Sequence, residues 1–171
     1  MILKVRTYGD PILRKKCKRI NSIDGDIRKL ASDMLETLKN VSGVGLAANQ
    51  VGESKRIFVI DQSKFDFEAP PLFVINPEIV EISGDQLSEE GCLSLPGMWE
   101  NVKRPLKMEI KGTDLEGKEI KIAGEGVLAR VLSHEIDHLE GLMFIDHLSS
   151  IERKLLSRKL KELVEKKNLA Y

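Results

Sequence analysis

The stretch LSHEIDHLEG, residues 132 to 141, sets two histidines four positions apart with a glutamate directly after the first. On a helix, residues four apart share a face, so His134 and His138 can each present an imidazole nitrogen to one metal ion. Glu135, one step around the helix, lies near such an ion without ligating it, which suits a general base acting on water. A lone histidine on a helix is ordinarily a hydrogen-bonded core residue, but the full His-Glu-x-x-His pattern is rare by chance in a chain of this length. A catalytic metal needs a third protein ligand. No histidine follows at the spacing of the longer metalloprotease motifs, and His147 comes after Gly141, the expected helix stop. The candidates are Cys92, in a short apolar segment bounded by glycine, and a downstream carboxylate such as Glu152. A thiolate is a strong ligand for zinc or iron, whereas the plainer role of a lone cysteine is that of a small buried hydrophobe.

These residues need elements to hold them. Apolar residues at three- and four-residue spacing (Ile27, Leu30, Ala31, Met34, Leu35, Leu38) predict a helix over 24–40, ending at the glycines of VSGVGLAANQVG. RIFVID and LFVINPEIVEI are rich in Ile, Val and Phe and predict strands, the second broken at Asn76-Pro77. The alternation of Leu106, Met108 and Ile110, then DLEG, then Ile120 and Ile122 predicts a hairpin turning near 114–117. VLARVLSHEIDHL has no glycine or proline and is apolar nearly all round, so the helix that carries the histidines belongs in the centre of the fold. Ser149 and Glu152 make a capping box for a last helix striped by Leu155, Leu156, Leu160, Leu163 and Val164. With 171 residues, one domain over 1–171 is expected. The balance of 27 basic against 27 acidic residues provides no global field for nucleic acid. The first residues carry charge early and no small-residue cleavage site, so the expected location is cytoplasmic.

Three stretches in order, GVGLAANQ at 43–50, EGCLSLP at 90–96 and HEIDHLEG at 134–141, resemble the signature motifs of the peptide deformylases. The similarity extends to YGDPILRKKC near the start and to VKRP, GVLAR and LMFID between the motifs, covering nearly the whole chain up to the final helix. The resemblance implies an α+β fold with antiparallel sheets around the metal helix and a C-terminal amphipathic helix. It implies one divalent ion held by Cys92, His134 and His138 with a water in the fourth position, Fe2+ in the cell and Zn2+, Ni2+ or Co2+ as isolated. The implied reaction is hydrolysis of the formyl group from the N-terminal formylmethionine of newly made proteins. In it Glu135 takes a proton from the attacking water and passes it to the leaving amine, while the Gln50 amide and the Leu93 N–H stabilise the developing oxyanion. The family pattern further implies that substrate backbone pairs beside Gly45 and Gly91, that Val44, Val127 and Val131 form part of the methionine pocket, and that Arg104 pairs with Asp137. The chain departs from the pattern at Ser133, where the family commonly has glutamine, which bears on outer hydrogen bonding only.

Two further features stand beside the motifs. Trp99 follows the cysteine motif closely enough to border the peptide's path, though a half-buried structural indole is its plainer role. The last helix carries seven Lys or Arg, from Arg153 to Lys167. A transient ribosome contact is one use for them, and solvation of an outer helix face is the simpler one. The helix motif by itself is shared with zinc endopeptidases, and a binding module could keep the fold without the reaction. Partners beyond nascent formylated chains, and the oligomeric state, are not written in these patterns.

Overall fold

The computed structural model describes residues 1–66 and 68–169, with side chains described as far as residue 166. Helix α1 (Gly25–Lys39) starts where the Asp24 side chain accepts the Ile27 N–H at 3.0 Å, satisfying one orphan donor of the first turn. Its expected stripe is buried at Ile27, Leu30, Ala31, Met34 and Leu38 and packs on strands β1 (Gly45–Ala47) and β2 (Ile57–Ile60). All four residues of β2 are buried because helices cover both of its faces. Ile57 and Val59 join the α1 core, while Phe58 and Ile60 face the second helix, α2 (Val127–Leu139).

β3 (Leu72–Cys92) and β4 (Leu95–Thr113) form one long hairpin closed by Leu93 and Ser94, and β5 (Glu119–Glu125) returns along β4 after the expected turn. All neighbours are antiparallel in the order β1-β2-β3-β4-β5, so the α+β fold has its strands joined in one series. SEEGCLSLPGMW is the tip of the long hairpin. At Asn76-Pro77 the strand does not break but bulges: Asn76 takes φ 51° and the register slips between Ile75 and Glu78. Proline has no N–H to give a ladder, and beside it the Asn76 amide ties the bulge to the N-terminal segment. Its Oδ1 accepts the Ile20 N–H at 2.9 Å and its Nδ2 donates to the Ile20 carbonyl at 2.8 Å.

α2 is central as expected, packed against β1, β2, β4 and β5, with Ala129, Leu132, Ile136 and Leu139 in one core with Phe58, Val74, Met108 and Ile110. It stops before Gly141, whose φ is 78°. The capping box of α3 (Ser150–Leu169) forms, with Ser149 N–H donating to Glu152 at 2.8 Å and Glu152 N–H to Ser149 Oγ at 3.2 Å. The α3 stripe is narrower than its sequence predicts. Leu156 and Leu160 are buried against Leu13, Leu95, Met98 and Phe144, but Leu155 is 78% exposed. Among the described residues no helix is long and apolar enough to cross a membrane.

Candidate active site

α2 supplies His134, Glu135 and His138, and the tip of the β3–β4 hairpin supplies Cys92. His138 Nε2 lies 3.1 Å from His134 Nε2 and 3.3 Å from Cys92 Sγ, and all three ligand atoms fall within 4.8 Å of one another. Tetrahedral ligation at about 2.1 Å for nitrogen and about 2.3 Å for sulfur separates ligand atoms by about 3.4–3.6 Å, so the cluster is already near the required size. Glu152, the other candidate third ligand, is instead held in the α3 cap.

The surroundings turn the lone pairs inward. His134 Nδ1–H donates to Glu90 Oε1, which leaves Nε2 for the cluster, the carboxylate–histidine arrangement common behind metal-bound imidazoles. His138 is fully enclosed; burial, then the neighbouring His134, hold its pKa well below the ordinary histidine value, keeping it neutral and able to ligate. At His134 burial opposes a charge, but the hydrogen bonds with Cys92 and Glu90 outweigh it and raise the pKa well above the ordinary value. The concentration of negative charge here favours a cation, and a divalent ion meets that demand without a proton on the imidazole. This residue set therefore fits a metal.

Glu90 was not singled out by the sequence, yet it ties the site together. It is buried and accepts from Arg104 through Nε at 3.0 Å and Nη2 at 2.6 Å. Burial alone would raise the Glu90 pKa; hydrogen bonds from His134 and Arg104 outweigh it and bring it down to about 2. Arg104, itself buried, reaches Asp137 Oδ2 at 2.5 Å, as expected, and Ser133 Oγ at 3.2 Å. Ser133 thus still accepts a bond in the outer shell. His147 Nε2–H donates to the same Asp137 oxygen at 2.6 Å. Burial pushes Asp137 up, but the His147 hydrogen bond and the Arg104 charge leave its pKa below the ordinary value.

Gln50 is buried, not a surface amide. Its Oε1 accepts the Ala47 N–H at 2.9 Å, which fixes the amide so that Nε2 points to Ser94 Oγ at 3.1 Å and Cys92 Sγ at 3.6 Å. The adjacent Asn49 donates from Nδ2 to the His138 carbonyl at 2.5 Å, locking this loop to α2. Glu135 is buried, with Oε2 lacking any partner among the described residues. Burial raises its pKa to about 7, against the lowering effect of His134. Its carboxylate lies directly over Gly45, where an added Cβ would meet Glu135 Cδ at 2.7 Å and Cγ at 2.9 Å. Only glycine lets β1 pass so close.

A cavity of about 310 Å³ opens onto this cluster. Val44, Gly45, Gln50, Gly91, Cys92, Leu93, Val131, His134 and Glu135 line it, so most of the residues named from the sequence meet in one place. Val127 does not line it; it sits on the first turn of α2, 41% exposed. Arg130, unmarked in the sequence, takes a place on that wall beside Val131. Trp99 also lines the cavity and is 62% exposed, more open than a structural indole would be.

Comparison with known proteins agrees with this architecture. The family model for polypeptide deformylase matches residues 2–154. The chain is 48% identical over 160 residues to a peptide deformylase of Thermodesulfovibrio yellowstonii, covering 94% of this chain and 97% of that protein. It is 49% identical over 146 residues to one of Dictyoglomus thermophilum, covering 85% and 92%. Among solved structures, a peptide deformylase of Legionella pneumophila superposes with a TM-score of 0.90 at 40% identity, covering 98% of each chain. One from Synechococcus elongatus, in complex with actinonin, gives 0.84 at 38% identity, covering 97% of this chain and 88% of that one. With a model match over most of its length and relatives near half identical, the chain belongs to the polypeptide deformylase family.

Proposed function

We propose that this deformylase, acting as one catalytic unit over residues 1–171, removes the formyl group of N-terminal formylmethionine with Cys92, His134 and His138 as its metal ligands and Glu135 as its general base and acid. The observation that carries the assignment is the convergence of three ligand atoms within 4.8 Å beside a buried carboxylate that has an unpartnered oxygen. The ion, when bound, supplies Lewis acidity that activates water and polarises the formyl carbonyl. Glu135 Oε2 takes the proton of the attacking water and returns it to the leaving amine; a pKa raised toward neutrality suits a group that must do both. Gln50 Nε2, aimed by its bond to Ala47, and the Leu93 N–H in the hairpin turn donate to the carbonyl oxygen as it gains charge. Gly45 and Gly91 admit the peptide backbone on either side, and Val44 and Val131 receive the methionine side chain. Arg104 and Asp137 orient the ligand helix through Glu90 and Ser133. Fe2+ is the working ion, with Zn2+, Ni2+ or Co2+ able to replace it; a thiolate and two imidazoles accommodate all four. The enzyme works in the cytoplasm on nascent chains. The exposed basic residues of α3, including Lys154 and Lys159, serve its solubility and offer a salt-sensitive ribosome contact.

The test is formate release from a formyl-Met peptide by anaerobically prepared, Fe2+-loaded protein, beside Glu135→Ala. Release that disappears in the variant while the metal is retained supports the assignment. No release from protein carrying one equivalent of metal refutes it.

A further inference from the structure

Trp99 is the sole tryptophan of the chain. It stands opposite Gly91 in the β3–β4 ladder, one position from Cys92. A Cβ built on Gly91 would come within 2.8 Å of three atoms of the indole's six-membered ring, Cε3, Cζ3 and Cη2, so the ring lies flat over the glycine. Covering a strand glycine with an aromatic cross-strand partner is a structural use, and it accounts for one face of the ring. The other face is left to the cavity and to solvent, and the residue remains 62% exposed. An indole offers a large apolar area at little cost in conformational freedom, which makes an exposed one at a cavity mouth a recognition element rather than a filler.

The strand geometry indicates what meets it. Among the described residues, β2 pairs with β3 only from Leu72 to Ile75, so near Gly91 the edge of β3 away from β4 is open along the cavity. An extended peptide that adds to this edge advances about 3.3 Å per residue, with successive side chains on opposite sides. With the formyl group at Cys92 and the methionine side chain toward Val44 and Val131, strand alternation sends the next side chain to the opposite side, where the hairpin tip carries Trp99. Apart from Glu90 and Glu135, which belong to the catalytic cluster, the charged residues on the cavity are one of each sign, Glu89 and Arg130, and the indole is the large apolar surface left open at its edge.

We propose that Trp99 is a specificity-determining residue that stacks on the side chain following formylmethionine and favours chains whose second residue is aromatic or large and apolar. The inference rests on the deformylase assignment and deepens it. The experiment uses the metal-loaded enzyme with formyl-Met-Phe-Ser, formyl-Met-Ser-Phe and formyl-Met-Ser-Ser. The expected result is a kcat/KM for the first about threefold to tenfold above the other two, the range of one aromatic contact. Trp99→Ala abolishes that ratio chiefly through KM, and Trp99→Phe, which keeps a ring over Gly91, restores part of it. A second readout needs no variant: because the chain has one tryptophan, its fluorescence reports the groove directly, and the product Met-Phe-Ser shifts the emission more strongly than Met-Ser-Ser does. A ratio unchanged in Trp99→Ala, a preference that follows phenylalanine at the third position, or an emission indifferent to Met-Phe-Ser overturns the proposal. Formate release from none of the three peptides by the unaltered enzyme overturns the deformylase assignment instead.

Discussion

Glu90→Gln is the substitution that asks most of this structure. The carboxylate accepts from His134 Nδ1 and twice from Arg104, all inside the fold. A displacement of its pKa from 4.5 to about 2 corresponds to about 3 kcal/mol favouring the ionised native form. Because the native pKa is depressed, that stability is complete above pH 4.5 and is lost as the pH falls through about 2. Glutamine keeps the shape and one acceptor but not the charge, so Arg104 loses a buried counterion and one of its N–H donors faces the glutamine N–H₂, a donor against a donor. Urea unfolding of the metal-free protein at neutral pH is expected to show the variant about 3 kcal/mol less stable, with the gap shrinking as the pH is lowered from 4.5 toward 2. The same carboxylate sets the His134 tautomer, and outer-shell partners of this kind carry about 10–100-fold in metal affinity. Chelator competition on folded variant should therefore show affinity weakened by about that factor. A stability gap indifferent to pH, or unchanged metal affinity, would refute the role given to Glu90.

Three other perturbations test separate parts of the arrangement. Gly45→Ala puts a methyl group into the Glu135 side chain, with Cδ at 2.7 Å, and should lower kcat by roughly 100-fold with metal content retained; a loss below about threefold would show that Glu135 is free to move aside without consequence. Burial pushes the Cys17 thiol up to about 11, so a thiol reagent at neutral pH should modify one cysteine, Cys92, in metal-free protein and be blocked by added Zn2+; mass spectrometry that finds Cys17 labelled, or Cys92 labelled equally with metal, contradicts the ligand set. Asn76→Ala removes two hydrogen bonds to Ile20 and leaves a β-carbon at positive φ, which should cost about 2 kcal/mol and lower Tm by roughly 4–8 °C; an unchanged melt would mean the bulge is held by its neighbours alone.

What the sequence discloses depends on how far apart the cooperating residues lie along the chain. His134, Glu135 and His138 sit within two helical turns, so helix geometry alone brings them together. Cys92 and Gln50 became legible only because three motifs recur in order, since nothing local in either stretch says that the hairpin tip folds onto α2. Glu90 was missed because its role comes from partners 14 and 44 residues away, and by itself it reads as one more acidic strand residue. The strand of LFVINPEIVEI was legible, but its run on to Cys92 was not: from Glu78 to Asp85 β3 is exposed on every residue, so burial imposes no alternation that carries the pattern past Ile82. Val127 is the converse case, a residue singled out by spacing that lies outside the cavity lining. Its four-residue spacing to Val131 is real, but the first turn of α2 does not line the cavity, and a shared helix face becomes a pocket wall only where another element closes over it. Trp99 follows the same logic from the other side. Its cover over Gly91 is a cross-strand fact set by register, and its open face exists because nothing in the described chain packs above the hairpin tip at that point. In this fold two of the three candidate ligands and the buried carboxylate are therefore encoded locally on α2, while Cys92, Glu90 and Trp99 reach the site only through the register of the β3–β4 hairpin.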